Sequence, residues 1–295
     1  MLRSLYSGVS GMKNLQTKMD VVSNNIANVN TMGFKSGRVV FEDLISQTTG
    51  SASAPGNGSG GVNAKQIGLG VQTGAVDTLT TAGAPQSTGR ALDFYINGGG
   101  YFIVQNSNGG DYYTRDGAFL RDSNGTLTNS AGMPVMGRTA TTPTEYTDGL
   151  DTNSVLSAQG SLKEINIPSQ ITVGGNTLKY DSMSVDKNGL ITAKYGSQNF
   201  VMGQVSLATF NNPEGLQKVG GNNYEVSGNS GAAIISAPGD AGTGALQSGE
   251  LEMSNVDLSN EFTEMIIANR AYQANARTIT TSDEMLQELV NLKRS

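Results

Sequence analysis

The sequence predicts an α+β protein in which paired helices at the two ends flank a mainly antiparallel, all-β domain. Three observations support this fold class. Apolar residues recur every seven positions near both ends of the 295-residue chain. All seven prolines lie between Pro55 and Pro238, so both ends lack the residue that interrupts helices. The middle contains short β-prone segments separated by Asn-Gly and Asp-Gly pairs, which are typical of tight turns.

The N-terminal helix is predicted from one apolar row at heptad spacing, which indicates a coiled-coil-like seam. The row consists of Leu5, Met12, Met19 and Ile26. Gly8 and Gly11 each cost a helix about 1 kcal/mol relative to alanine, and Gly33 followed by Phe34 predicts its end. We therefore expect this helix to be marginal in the monomer, with disorder outside an assembly as an open alternative.

The C-terminal helix is predicted from Val256 to Lys293, a length of ~57 Å at 1.5 Å per residue. Ser254 and Asp257 have the spacing of a capping box. Two rows of side chains are narrow for docking on a sheet, so they favour contact between helices. The main row is Leu258, Met265, Tyr272, Ile279 and Leu286, and the companion row contains Phe262, Ala276 and Val290. Residues 1–33 and 250–295 are thus the predicted helical domain.

The middle of the chain divides into a connector and a β domain. Residues 34–66 are predicted to be a flexible connector, and its Gly/Ser-rich part at Gly50–Gly61 is either a flexible joint or a disordered insertion. Residues 67–249 form the predicted all-β domain, with a Thr/Ser-rich loop or excursion around 140–180. Its turns are expected at Asn97, Asn108, Asp116, Asn124 and Asn188.

The composition argues against several classes of function. The chain has no cysteine and no histidine, which removes disulfides, the usual zinc ligands and the commonest acid–base side chain. The formal net charge of −6 makes nucleic acid an improbable partner. No apolar run approaches the ~20 residues of a membrane span, so we expect no membrane insertion.

The candidate chemical sites in the sequence are weak. Gly68–Gly74 lacks the spacing and context of a phosphate loop. A calcium loop through Asp186 and Asn188 would end on Tyr195 where a bidentate glutamate is needed. Asp116 and Asp122 flank turns, whereas acid–base catalysis needs a desolvated carboxyl. We therefore expect no catalytic residues, no cofactor and no metal site, and the protein is not predicted to be an enzyme.

One N-terminal motif is highly specific. The segment NNIANVNTMGFK resembles the NN-x-AN-x-x-T-x-GFK signature shared by bacterial flagellar rod and hook proteins. The end of the chain, Gly249–Arg294, resembles the matching end of that family, and Gly61–Val71 and Phe210–Gly231 are more similar to hook proteins than to distal rod proteins. The distal rod is kept as the alternative. The motif residues are Asn24, Asn25, Ala27, Asn28, Thr31, Gly33, Phe34 and Lys35.

The resemblance implies a secreted, self-assembling subunit. Such a chain is exported unfolded by the flagellar type III apparatus without a cleaved signal peptide, and it polymerises outside the cell into a helical tube. A hook subunit would form a flexible joint that transmits torque, with the distal rod, the hook cap and the hook–filament junction as further partners. The expected polymer contacts are the heptad residues Leu5, Met12, Met19, Ile26, Leu258, Phe262, Met265, Tyr272, Ile279 and Leu286.

Two further expectations follow from the resemblance. Phe41 and Ile45 match a pattern associated with docking at the export gate, and burial of both in an ordinary helical turn or strand is the alternative. Asn24, Asn25 and Asn28 are expected to hydrogen-bond to backbone and neighbouring groups at the end of the first helix. Outside the family, a surface β-domain adhesin and a glycan-active enzyme are the remaining alternatives.

Overall fold

The protein is described by a computed structural model that covers residues 2–56, 60–146, 155–157, 161–173, 175–240 and 242–294. The chain forms two units. The helical unit comprises Met1–Val29, Ser36–Leu79 and Val256–Ser295, and the β unit comprises Asn30–Lys35 and Thr80–Asn255. Within the described residues, no helix is both long and apolar enough to cross a membrane.

Two antiparallel helices form the centre of the helical unit. Helix α1 spans Leu2–Ala27 and helix α2 spans Leu258–Arg294. Ser4, near the start of α1, lies 3.4 Å (Oγ to Oγ) from Ser282 in the second half of α2. Lys18, further along α1, forms an ion pair with Glu264 near the start of α2. Helices at both ends of the chain, flanking a mostly antiparallel β region, confirm the predicted arrangement.

The ends of the helices differ from the prediction in two details. Helix α1 ends at Ala27, so Gly33 is not its stop signal. Helix α2 begins within two residues of the predicted start, but the residue that precedes it is Asp257, whose Oδ1 accepts the Ser259 amide at 2.9 Å. Ser254 lies outside the helix, and the predicted capping box is therefore wrong.

The face of α2 that packs on α1 is shifted by one residue from the predicted companion row. The row that contacts α1 or is buried consists of Glu261, Ala268, Asn275 and Ser282. Phe262, in the predicted row, is 49% exposed instead. Small and polar side chains therefore line part of the contact between the helices beside the half-buried Ile279, whereas Phe262 faces outward.

Gly8 and Gly11 explain how the helices approach so closely. A Cβ atom on Gly8 would lie 3.2 Å from Ile279 Cγ1, and one on Gly11 would lie 2.8 Å from Asn275 Nδ2. The helix propensity that these glycines cost is thus offset by close packing with α2.

In its described residues, the helical unit also contains four strands. Strand β1 (Gly37–Asp43) pairs with β4 (Val71–Thr78), and β2 (Gln47–Gly50) pairs with β3 (Lys65–Ile67). Asn14 of α1 donates to Val71 O at 2.6 Å and accepts from Thr73 Oγ1 at 2.8 Å, which fixes β4 on the helix.

These strands correct the predicted connector at 34–66. Strands β1, β2 and β3 lie inside it. The predicted joint at Gly50–Gly61 begins and ends in the helical unit, so it does not link the two units. An antiparallel bridge between Ser53 and Val62, inside this segment or next to it, extends the pairing of β2 with β3. Residues 57–59 of the segment lie outside the described residues.

Among the residues that the structure describes, the β unit contains two six-stranded sheets. Their strand orders are β12-β11-β16-β15-β14-β13 and β18-β19-β8-β7-β17-β20, and the two-stranded ribbons are β9–β10, β6–β21 and β5–β22. All strand pairings in the described part of the chain are antiparallel. A 3₁₀ turn lies at Pro213–Gly215.

The strand bounds of the β unit are as follows. They are β5 (Pro85–Ser87), β6 (Phe94–Asn97), β7 (Tyr101–Gln105), β8 (Asp111–Thr114), β9 (Leu120–Arg121), β10 (Leu127–Thr128), β11 (Met136–Glu145), β12 (Lys163–Glu164), β13 (Gln170–Val173), β14 (Asn176–Val185), β15 (Leu190–Tyr195), β16 (Gln198–Val205), β17 (Leu207–Thr209), β18 (Gln217–Gly220), β19 (Asn223–Glu225), β20 (Ile234–Ser236), β21 (Ala245–Ser248) and β22 (Glu250–Glu252).

Strand β7 is buried on both faces, which places it between two apolar clusters. Phe102 and Val104 belong to the larger cluster, whereas Tyr101 and Ile103 belong to a second, smaller one. The alternation follows from the period-two geometry of a strand. The apolar run YFIV is thus a central strand.

The Thr/Ser-rich region at 140–180 is only in part as predicted. Its residues 147–154, 158–160 and 174 lie outside the described residues. The described remainder supplies the end of β11, all of β12 and β13, and the start of β14. These strands belong to the first six-stranded sheet, so this part is not an excursion from the β unit.

Stability should fall in alkali because buried tyrosines resist ionisation. Burial raises the pKa of Tyr195 from 10.0 to about 12, and its hydroxyl donates to Pro168 O at 2.7 Å. Above pH ~10 the unfolded chain ionises first. The free energy of unfolding should therefore decrease as the pH rises from about 10 to about 12, measured by urea denaturation. Tyr195→Phe should make this decrease shallower, and an unchanged slope would contradict the assignment.

Candidate functional site

The motif NNIANVNTMGFK supplies two deeply buried polar side chains, one in each unit. Asn25 and Lys35 are each 1% exposed. Burial of polar groups is unfavourable unless they are hydrogen-bonded, so their partners indicate what the motif does. The site in each unit is described by itself below.

Asn25 joins three elements of the helical unit. Its Nδ2 donates to Gly37 O at 2.9 Å, and its Oδ1 accepts the Gly37 amide at 2.9 Å, which ties the last turn of α1 to the start of β1. Nδ2 also donates to Glu261 Oε1 at 3.0 Å in the first turn of α2. One amide side chain thus fixes the end of one helix, the start of the other and the first strand.

Asn24 and Asn28 bond to each other at the end of α1. Asn28 Nδ2 donates to the backbone oxygen of Asn24 at 2.9 Å and to its side-chain oxygen at 3.0 Å. Ala27 is the last residue of α1, so Asn28 directly follows the helix.

Glu261 is affected by its position at this junction. Burial raises the pKa of its carboxyl, and the hydrogen bond from Asn25 opposes the rise because it favours the charged form. The amide of Asn25 therefore helps to hold a carboxylate beside the helix contact.

In the β unit, Lys35 belongs to a buried ion cluster with Glu252 and Arg115. Lys35 Nζ contacts Glu252 Oε1 at 2.5 Å and donates to Thr81 O at 2.8 Å. Arg115 Nη1 lies 3.3 Å from Glu252 Oε2, and Arg115 Nη2 donates to Gly98 O at 2.8 Å. The Gly83 amide also donates to Glu252 Oε1, at 2.9 Å.

The charges of this cluster do not balance among its three members. Two buried cations share one carboxylate that is 1% exposed, so Glu252 is the group on which the cluster depends. Burial lowers the pKa of Lys35, and the charge and hydrogen bond of Glu252 oppose this effect. Loss of the carboxylate would leave two cations facing each other without compensation.

Gly33 and Phe34 hold the motif against the same cluster. The Gly33 amide donates to Glu252 O at 2.8 Å. Gly33 has φ = 68°, and a Cβ atom there would lie 2.7 Å from the Asp116 amide nitrogen. Phe34 is buried with Lys218 Nζ 5.0 Å above its ring, and Lys218 also donates to Lys35 O at 2.9 Å. Thr31 O accepts the Phe34 amide at 3.3 Å.

The heptad residues predicted as polymer contacts fall into two groups. Those half-buried in the helical unit are Leu5, Met12, Met19, Ile26, Met265, Ile279 and Leu286. Leu258, Phe262 and Tyr272 are exposed. Phe41 is half-buried in β1, whereas Ile45 is 87% exposed. Their roles in assembly and in export stay predictions.

The described residues offer little for chemistry. No group of three metal-ligating side chains occurs in the part of the chain that the structure describes. Asp116 accepts the Ala118 amide, and Asp122 accepts the Asn124 and Thr126 amides, so both carboxylates hold turns. Burial raises the pKa of Asp116. The carboxylates of Asp116 and Asp122 therefore stabilise backbone turns.

Two members of the cluster were missed by sequence reasoning. Glu252 lies between Leu251 and Met253, and Arg115 follows a short β segment. A charged residue flanked by apolar ones just before a helix was the available signal for Glu252. Nothing in the sequence near Arg115 indicates its partner, since the two residues are far apart in the chain.

Comparisons with known proteins give one consistent family. Three family models match: "Flagella basal body rod protein" at residues 5–35, "Flagellar hook protein FlgE/F/G D1 domain" at 95–193, and "Flagellar basal body rod FlgEFG protein C-terminal" at 247–292. The first and last contain the motif and the segment with Glu252.

Whole-chain relatives carry both rod and hook names. The flagellar basal-body rod protein FlgG of Bacillus subtilis is 48% identical over 298 positions, with all of both chains covered. FlgG of Buchnera aphidicola (Acyrthosiphon pisum) is 35% identical, with 99% of this chain and 100% of the relative covered. The flagellar hook protein FlgE of Borreliella burgdorferi is 33% identical over 442 positions, with 99% and 100% covered.

Asn25→Ala should destabilise the helical unit by about 2–3 kcal/mol, because it removes three hydrogen bonds of a buried side chain, two of them to the part-buried backbone of Gly37. Asn24→Ala is the matched control, since Asn24 is exposed, and it should cost less than about 0.5 kcal/mol. Thermal unfolding of the two variants measures the difference. Equal losses would remove the special role of Asn25.

Gly33→Ala should destabilise the β unit more than Gly89→Ala. Both glycines have nearly the same φ, 68° and 69°, but a Cβ atom at Gly89 meets nothing within 4 Å. The control should therefore show only the backbone strain, about 1–2 kcal/mol. In Gly33→Ala, the new methyl group also overlaps the backbone of Arg115 and Asp116, so the loss of unfolding free energy should be at least twice that of the control. Chemical denaturation measures both losses. Equal costs would show that the motif relaxes around the new methyl group.

Proposed function

Because the chain belongs to the family of flagellar rod and hook proteins, a family of structural components of the motility apparatus, we propose that it is a subunit of the flagellar rod. This is the distal-rod alternative of the sequence analysis rather than its first interpretation, the hook. The observation that supports the choice is the match in length to rod relatives.

The lengths separate the two groups of relatives. The alignment with the Bacillus rod protein runs over 298 positions for a chain of 295 residues, so almost no insertion is needed. The alignment with the Borreliella hook protein runs over 442 positions, and much of it is sequence that this chain lacks. The rod relative is also the more similar of the two, at 48% against 33% identity.

Self-assembly is supported by the surface of the helical unit. Soluble monomeric proteins rarely expose large contiguous apolar patches, and such a patch on a helix indicates a surface that another protein covers. The exposed ones on α2 are Leu258, Phe262, Ile266, Ile267, Tyr272, Met285, Leu289, Val290 and Leu292. In the proposed polymer, these residues and the predicted heptad contacts of α1 pack against neighbouring subunits in a coiled-coil-like manner.

The proposal extends to export and to partners. The chain travels through the flagellar type III apparatus, and exposed Ile45 with Phe41 docks at the export gate. Other axial proteins, including the hook protein, bind at the ends of the polymer. The role is structural, and no catalytic step belongs to it.

Electron microscopy of basal bodies from a strain that lacks this gene tests the proposal. We expect rods that are cut short and carry no hook, with full length restored by the wild-type gene on a plasmid. Complete rods that lack only the curved segment would show that the protein is a hook subunit instead. Intact hooks and filaments would exclude it from the axial structure.

A further inference from the structure

The exposed side of α1 carries a stripe of side chains that no role described above uses. The α1 stripe consists of Tyr6, Val9 and Lys13, whose spacings of three and four residues place them on one helix face. Tyr6 is 73% exposed and Val9 is 51% exposed. Each stripe residue lies two positions from Gly8 or Gly11, a rotation of about 200° around the helix, and those glycines face α2. The α1 stripe therefore points away from the α2 helix of its own chain.

A groove of about 520 Å³ lies on the second half of α2. Three apolar and three polar side chains line this α2 groove: Met285, Leu289, Leu292, Thr281, Glu284 and Glu288. Met285 is 52% exposed and Leu289 is 50% exposed. The groove therefore offers an apolar surface with two carboxylates beside it.

Helix α1 does not run along the α2 groove. Ser4 of α1 lies beside Ser282 of α2, and α1 begins at Leu2. Roughly the last ten residues of α2, ~15 Å at 1.5 Å per residue, therefore extend past the start of α1. Because α2 is one continuous helix, its end cannot fold back onto the outer side of α1. The stripe and the groove of one copy thus cannot cover each other.

The two surfaces carry opposite charges. Residues 1–19 contain basic but no acidic residues, and residues 278–292 contain acidic but no basic ones. These charged residues are Arg3, Lys13 and Lys18 in the first segment and Asp283, Glu284 and Glu288 in the second. Within the part of the chain that the structure describes, Lys18 pairs with Glu264, whereas Lys13, Glu284 and Glu288 form no ion pair. Their charges are therefore available to a partner, and opposite signs favour contact between the two surfaces.

We infer that the α1 stripe of one copy docks in the α2 groove of another copy, with Tyr6 against the apolar part and Lys13 beside Glu284 and Glu288. Tyrosine is a frequent anchor of interfaces, since its ring is buried while its hydroxyl can donate to a carboxylate. The contact joins two different surfaces, so each bound copy keeps one of them free, and the contact can propagate into an open polymer. The inference rests on the proposed function and names two surfaces that join its subunits.

Sedimentation of the purified full-length chain over a range of concentrations gives the critical concentration for assembly. Tyr6→Ser should raise it about tenfold or more, because the anchor of the contact is lost. The melting temperature of the monomer should stay nearly unchanged, since Tyr6 is exposed. Tyr146→Ser is the matched control, because it makes the same change at a 40% exposed tyrosine of the β unit. It should assemble as the wild type does.

A charge exchange tests whether the contact joins two copies. Lys13→Glu alone, and the double variant Glu284→Lys with Glu288→Lys alone, should each raise the critical concentration about tenfold or more, because like charges then face each other. An equal mixture of the two variants should assemble near the wild-type concentration. In the mixture, each changed surface meets a changed surface of opposite charge, and each unchanged surface meets an unchanged one.

The outcomes separate this inference from the proposed function. A mixture that assembles no better than its components would overturn the inference, and so would normal assembly of Tyr6→Ser or of either charge variant alone. The proposed function would stand in those cases. A wild-type chain that never assembles would contradict the proposed function itself.

Discussion

The β unit depends on the ion pairing of one buried carboxylate, that of Glu252, with Lys35 and Arg115. The chain passes between the two units four times, at residues 29/30, 35/36, 79/80 and 255/256. Gly33 and Lys35 lie next to the first two crossings, Thr81 and Gly83 follow the third, and Glu252 precedes the fourth. Gly33, Lys35 and Gly83 are hydrogen-bonded to Glu252, and Thr81 O accepts from the Lys35 ammonium group. The buried carboxylate and its lysine partner thus hold the segments at the second, third and fourth crossings, and the backbone oxygen of Glu252 holds Gly33 at the first.

The helical unit pairs two helices while it leaves many of their large apolar residues exposed. Gly8 lets α1 approach Ile279, Gly11 lets it approach Asn275, and Asn25 fixes the junction at one end. Other large side chains stay outside this contact, as Phe262 illustrates. This division explains how a folded subunit can keep an apolar surface for its neighbours: the surface is not needed for the contact between its own helices.

Much of this architecture could be predicted because it depends on local pattern. The heptad row through Met265, Ile279 and Leu286, the near-correct bounds of α2 and the all-β middle follow from periodicity and turn residues. The predicted companion row lies one residue away from the observed one. A search for apolar periodicity selects Phe262, whereas the contact between the helices uses small and polar residues such as Ala268. The Gly33–Phe34 pair has the pattern of a helix stop, but the positive φ of Gly33 serves close packing against Arg115 and Asp116. The Glu252 cluster joins residues more than a hundred positions apart, and no local pattern reports such pairing.

A double-mutant cycle between Lys35 and Glu252, measured by chemical denaturation, tests most directly whether the carboxylate organises the cluster. Glu252→Gln alone should cost about 3–5 kcal/mol, because Lys35 and Arg115 then remain buried without a counter-charge. In a Lys35→Met background the same change should cost at least 1 kcal/mol less, since one stranded cation is gone. Costs that add within about 0.5 kcal/mol would contradict the account, because they would show that Lys35 and Glu252 stabilise the β unit independently.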